Sequence, residues 1–130
     1  MFQVIYTSEA SDSLGAGDVF KIIETSARNN APAGLTGFLI YANNRFLQVI
    51  EGPQTTIERL MRTLGNDPRH HSIKVMHRAA IAKRSFPKWS MKRIAVTDAH
   101  DGIDTLIPEL AHAPDVVKRA VEDFLGIGVL

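Results

Sequence analysis

The chain has 130 residues, 45% apolar and 22% charged, with nine Gly, six Pro, no Cys and a formal net charge of +1. That length supports one domain with a single core, and the composition excludes wholesale disorder, a fibrous repeat and an apolar run of the roughly 20 residues that a bilayer requires. The lack of cysteine excludes disulfides, thiolate metal sites, thiol nucleophiles and cofactors attached through sulfur.

Residues 1–15 carry no basic-then-apolar leader pattern, so a cytoplasmic protein without membrane association is expected. Charge is distributed unevenly. Residues 1–97 hold 13 Lys/Arg against 7 Asp/Glu, and residues 98–130 hold 2 against 7. A basic body of this kind suits either an anionic ligand or an acidic tail packed onto it.

The first predicted element is a buried strand over Phe2-Gln3-Val4-Ile5-Tyr6-Thr7, whose alternation places Phe2, Val4 and Tyr6 on one face. After a small, polar loop from Ser8 to Gly17, the residues Val19, Ile22, Ile23 and Ser26 recur at helical spacing. Asp18 suits the first turn of that helix, and Pro32 stops its continuation past Asn29-Asn30. Leu35–Tyr41 and Arg45–Ile50 read as a hairpin about Asn43-Asn44, because Asn tolerates positive φ. Gly52-Pro53 opens a second helix with an apolar stripe of Ile57, Leu60, Met61 and Leu64, and Gly65 is its stop. Ser72–Met76 and Trp89–Val96 are predicted strands four and five, joined by an irregular basic stretch. Pro114 starts a tail helix with Val117, Ala120, Val121 and Phe124 on one side.

The predicted fold class is therefore α+β, a ferredoxin-like βαββαββ order with a five-stranded mixed sheet. Two helices cover one face. Strands that are apolar on both sides need a second cover, so the C-terminal helical tail is expected on the other. The predicted division is a domain over 1–97 and a helical extension over 98–130.

Most catalytic signatures are missing. Gly15-Ala16-Gly17 runs into Phe20 where a dinucleotide loop needs a third glycine, and there is neither a phosphate-binding Gly-Lys-Ser/Thr nor a Gly-x-Ser-x-Gly elbow. His70, His71, His77, His100 and His112 show no metal-ligand spacing with carboxylates. What stands out is polarity in apolar surroundings. Gln48 shares the inward face of its strand with Phe46 and Ile50, and Tyr6 lies mid-strand. A buried amide and a buried phenol both need partners. On the residues alone, two readings stay open. Either Gln48 and Tyr6 satisfy each other in a core while Asn30 caps its helix, or the three serve a ligand.

The runs Ile5-Tyr6-Thr7-Ser8, Ser26-Ala27-Arg28-Asn29-Asn30, Gly34-Leu35-Thr36-Gly37 and Phe46-Leu47-Gln48-Val49-Ile50-Glu51-Gly52 occur in that order. Asp67-Pro68-Arg69-His70-His71 and Arg84-Ser85-Phe86-Pro87-Lys88-Trp89-Ser90-Met91 follow. Over about residues 1–97 this pattern resembles the BLUF family of blue-light sensors using FAD. The resemblance implies a noncovalent FAD, with FMN an alternative on purification, whose ring inserts between the two helices. It implies that Tyr6 gives an electron to the photoexcited flavin, that Gln48 is the switch between Tyr6 and the ring, and that Asn30 holds the ring's polar edge. Ile22, Ser26, Leu39 and Phe46 would line the pocket, and Arg69 and His70 would stand near the ribityl-phosphate end. Trp89 and Met91 would belong to signal output. Asn29 departs from the family pattern, standing where some relatives have a residue stacked on the ring.

The chemistry of the residues is compatible with this. A phenol with a pKa of about 10 becomes strongly acidic on losing an electron, and one carboxamide both accepts and donates protons. The expected function is a blue-light photoreceptor and not an enzyme, signalling through strand five and the acidic tail to an unknown downstream protein, with homo-oligomerisation expected. No fused cyclase or phosphodiesterase is expected in a chain of this length. The alternative is a ferredoxin-like regulatory module that binds a small molecule without photochemistry. An RNA-binding sheet would need exposed aromatics on strands one and three, making nucleic acid the weaker partner. An acyl-phosphate hydrolase lacks an identifiable nucleophile.

Overall fold

β-branched and aromatic residues in alternation build the strands, and the two faces they create recruit the helices. In the computed structural model, which describes residues 1–10, 34–42, 45–65, 70–87, 90–94, 110 and 113–126, the elements are β1 (Phe2–Ala10), β2 (Thr36–Ala42), β3 (Arg45–Gly52), α1 (Gln54–Gly65), β4 (His70–Ala80), β5 (Ser90–Ile94) and α2 (Asp115–Leu125). The sheet runs in the order β4-β1-β3-β2-β5. All pairings are antiparallel except β2 with β5, which is parallel. The helix predicted between β1 and β2 falls outside the described residues, as do Asn43 and Asn44. Ala42 and Arg45 nonetheless pair across the hairpin.

Strand boundaries differ from expectation. β1 continues to Ala10, through the Ser8 and Glu9 that read as the start of a loop, because β3 pairs with it as far as Arg45 opposite Glu9. β4 runs from His70 to Ala80, beyond the Ser72–Met76 segment read from periodicity. Polar His77 and Arg78 obscure it in the sequence, but β1 offers hydrogen-bonding partners as far as Phe2 opposite Ala80, and an edge strand tolerates polar side chains. β5 is described over Ser90–Ile94, within the predicted Trp89–Val96, and Trp89, Ala95 and Val96 lie outside the described residues.

Period-two alternation divides the interior in two. On one face Val4, Tyr6, Leu39, Phe46 and Ile50 pack with Leu35 and with Ile57 of α1, flanked by Leu60 and Met61. On the other, Ile5, Phe38, Ile40, Leu47 and Val49 pack with Phe86, Leu110 and the Val117, Ala120, Val121 and Phe124 stripe of α2. The tail helix thus covers the face that α1 leaves open, with the four predicted side chains turned inward.

Both helices start at a proline whose carbonyl takes the first helical bond. Pro53 O accepts from Ile57 N–H at 3.1 Å, and Pro114 O accepts from Lys118 N–H at 3.1 Å. Gly126, in the left-handed region at φ 72°, closes α2. Near that end the Arg45 guanidinium lies 5.1 Å over the Phe124 ring, and Asp123 lines the same small cavity as Arg45 and Lys74. Asp123 of α2 thus shares this cavity with two basic residues of the body. A Phe124→Ala variant should lose about 3–5 kcal/mol of stability, read as a lower urea midpoint, because the vacated volume is enclosed by sheet residues that cannot collapse into it. Among the described residues no helix is long and apolar enough to cross a membrane.

Candidate functional site

The antiparallel register of β1 and β3 sets Tyr6 directly opposite Gln48, and the register of β2 and β3 sets Leu39 on the other side of Gln48. The three form one row across the middle of the sheet, on the α1 face. Above and below it lie the rows Val4–Ile50–Gly37 and Ser8–Phe46–Tyr41. A polar row is thereby enclosed in apolar ones. Tyr41 and Phe46 touch with ring centroids 5.0 Å apart.

Tyr6 Oη donates a hydrogen bond to Gln48 Oε1, both side chains being buried at 3% and 4% exposure. With water excluded, this bond fixes the orientation of the carboxamide. Its Oε1 end faces the phenol, so its Nε2 end, which carries two donors, points away from it. Ser8, also buried, has a hydroxyl with no hydrogen-bond partner among the described residues. A buried orphan hydroxyl costs free energy unless a ligand or water satisfies it, so this surface has unused hydrogen-bonding capacity. Flat apolar side chains around a donor–acceptor pair and a spare hydroxyl can hold a planar ring with a polar edge.

Of the expected site residues, the structure brings Tyr6, Leu39, Phe46 and Gln48 together on one face. Ile22, Ser26, Asn29, Asn30, Arg69 and Trp89 lie outside the described residues. His70 opens β4 opposite Ala10, and Met91 lies within β5. Ser8 escapes the sequence reading because it reads as the first residue of a loop; the extension of β1 to Ala10 sets it two residues from Tyr6 on the same face. A separate cavity of about 270 Å³ on the far flank of α1, lined by Ile57, Met61, Val75 and Arg78 among others, does not include the Tyr6–Gln48 pair. No group of His, Asp and Glu among the described residues is arranged to hold a metal ion.

Comparison with known proteins fits this arrangement. The profile of a family described as sensors of blue-light using FAD matches residues 1–92. The chain is 30% identical over 123 residues to the photoactivated adenylate cyclase subunit beta of Euglena longa, covering 94% of this chain and 13% of that protein. It is 29% identical over 70 residues to the blue light- and temperature-regulated antirepressor BluF of Escherichia coli, covering 54% of this chain and 17% of that protein. The chain thus spans less than a fifth of the length of these curated relatives. Among solved structures, BlrB, a BLUF protein in its dark state, superposes with a TM-score of 0.74 at 28% identity, covering 95% of this chain and 96% of that one. The photo-activated state of BlsA gives 0.74 at 26%, covering 96% and 91%.

Proposed function

This chain belongs to the family of blue-light sensors using FAD, and we propose that it senses light through the Tyr6–Gln48 pair. The observation that carries this reading is the buried bond from Tyr6 Oη to Gln48 Oε1 on a face otherwise lined with apolar side chains. A phenol and a carboxamide placed for packing alone would be replaceable by apolar residues, and Ser8 would need no open hydroxyl beside them.

The residues present fit a flavin. Leu39 and Phe46 supply apolar contact, Tyr6 and Gln48 a donor–acceptor pair, and Ser8 Oγ a spare hydroxyl for a polar ring edge. On the family pattern Ile22, Ser26, Asn29 and Asn30 complete the pocket, and the proposed order remains the ferredoxin-like βαββαββ. Arg69 and His70 then lie toward the ribityl-phosphate end. FAD is the proposed flavin, and FMN is the alternative on purification.

When bound, the flavin supplies a light-excited acceptor for one electron. Tyr6 is the donor, and its Oη proton, made strongly acidic by that loss, has Gln48 Oε1 as its acceptor. Gln48 can take up a proton at Oε1 and release one from Nε2. Return of the electron and a proton to Tyr6 restores the neutral phenol and leaves the carboxamide rotated or tautomerised, with its donors redirected. The difference is on the order of one hydrogen bond, about 1 kcal/mol, which biases a nearby element only if that element is finely balanced. The proposed recipients are β5, which contains Met91, together with Trp89, the residue preceding it in the chain, and then α2, passing the signal to a partner protein or to self-association.

An absorption spectrum of the purified protein before and after blue illumination tests the reading. A yellow protein with a light-induced spectral shift supports it. A colourless protein supports a ferredoxin-like small-molecule module instead. Nucleic acid is disfavoured as a partner, because Tyr6 and Phe46, the aromatics an RNA-binding sheet would present, are both buried. Substitution of Val116 and Arg119, on the exposed side of α2, by Ser spares the buried stripe and should leave a yellow, photoactive protein that no longer produces a light-dependent partner response. Intact signalling in that variant would refute the transmitter role of this face of the tail.

A further inference from the structure

Glu51 is fully buried, at 0% exposure, on the face of β3 opposite Gln48. An acidic group in such a place requires donors on both oxygens. Oε2 accepts from Gln3 Nε2 at 2.9 Å and from the Ser85 backbone N–H at 2.9 Å, and Oε1 accepts from the Phe86 N–H at 2.8 Å. Arg84 works from the same loop in the opposite direction. Its Nη1 donates to Thr36 Oγ1 at 2.8 Å and to the Glu51 carbonyl oxygen at 3.0 Å, and its Nη2 donates to the Gly34 carbonyl oxygen at 2.6 Å.

One carboxyl and one guanidinium therefore fasten residues 84–86 to β1, β2, β3 and the turn before β2. Phe86 then seats edge-on against Phe38, with centroids 5.0 Å apart, in the core beneath α2. Four residues beyond Phe86, β5 begins at Ser90, paired with Gly37 of β2. The Gln3–Glu51 and Tyr6–Gln48 pairs belong to one β1–β3 ladder, three positions apart and on opposite faces. A displacement of β3 that follows rearrangement of Gln48 reaches Glu51 through a continuous backbone, and hydrogen bonds weaken steeply as their angles open.

We propose that Glu51 and Arg84 are positioning residues of the output segment, a latch that holds the loop before β5 and loosens when Gln48 rearranges. The loosening rests on the photosensor reading; the latch itself does not. The Ser85 and Phe86 amides report on it directly, because the Glu51 carboxyl is the acceptor for both.

Their hydrogen exchange, followed by NMR on the full flavin-loaded chain, should be slow in the dark and accelerate at least about tenfold under blue light. Glu51→Gln sets an NH2 group against an N–H donor in either orientation of the amide. It should accelerate both amides in the dark and remove their light dependence, while the light-induced absorption shift persists. Arg84→Gln, which leaves the buried carboxyl in place, should act in the same direction and serves if Glu51→Gln does not fold. Equal exchange in light and dark in a sample whose spectrum does shift would overturn the loosening. Wild-type exchange rates in a folded variant would overturn the latch. A wild-type spectrum unmoved by light would refute the photosensor reading and the loosening with it, and the dark-state variants alone would then decide the latch.

Discussion

Replacing Gln48 by Leu should give a protein that retains its flavin and shows no absorption change under blue light. Leucine fills much of the same volume but can neither accept from Tyr6 Oη nor donate toward a ring, so both ends of the proposed relay disappear together. The apolar contacts from Leu39, Phe46 and Ile50 remain, which is why binding should survive. Stability should fall by about 1–3 kcal/mol, because the buried Tyr6 hydroxyl is deprived of its Gln48 acceptor. Tyr6→Phe approaches the same bond from the other side and should likewise abolish the shift, since it removes both the electron donor and the mobile proton. A light-minus-dark spectrum that survives either substitution would defeat the assignment of this pair.

The second large effect is expected at Gly37, where alanine should cost roughly 4 kcal/mol or more, at the exceptional end for a point substitution. Gly37 holds φ +146°, a conformation that side-chain-bearing residues rarely adopt. A Cβ there would stand 1.8 Å from the carbonyl oxygen of Val49 and 2.8 Å from its carbonyl carbon. Both are backbone atoms of β3, fixed by pairing with β1 on the far side, so neither can yield as a flexible side chain would. Gly37 also pairs with Ile50 and with Ser90, and its displacement would disturb the β2–β3 hairpin and the docking of β5 together. Thermal unfolding measures this directly. A Gly37→Ala protein melting within a few degrees of wild type would show that the close approach is dispensable.

The two expectations differ in how early they can be reached. Gln48 was visible as a polar residue on the inward side of an apolar strand, and the resemblance to the flavin sensors named Tyr6 as its partner. The period-two pattern of β1 and β3 and the 3.6-residue pattern of α1 and α2 were also legible, since they follow from side-chain geometry within one element. The inward stripe of α2 is legible because burial of Val117, Ala120, Val121 and Phe124 is a local requirement of an amphipathic helix. The Gly37 contact had no such signal. In the linear chain it is one glycine among nine, and its necessity comes from a β3 carbonyl oxygen that approaches only when the hairpin closes.

The linear chain thus determined which faces are apolar, where prolines start helices, and that a phenol and a carboxamide must find partners indoors. Only the tertiary structure decided which partners they find. Register set Tyr6 opposite Gln48 and Gln3 opposite Glu51, extended β4 to His77 and Arg78 because β1 had bonds to offer, and brought Ser85 and Phe86 onto a carboxyl 34 and 35 residues earlier in the chain. The reason is physical: periodicity is imposed by a residue's immediate neighbours, whereas satisfaction of a buried polar group depends on whatever the closed fold delivers to it.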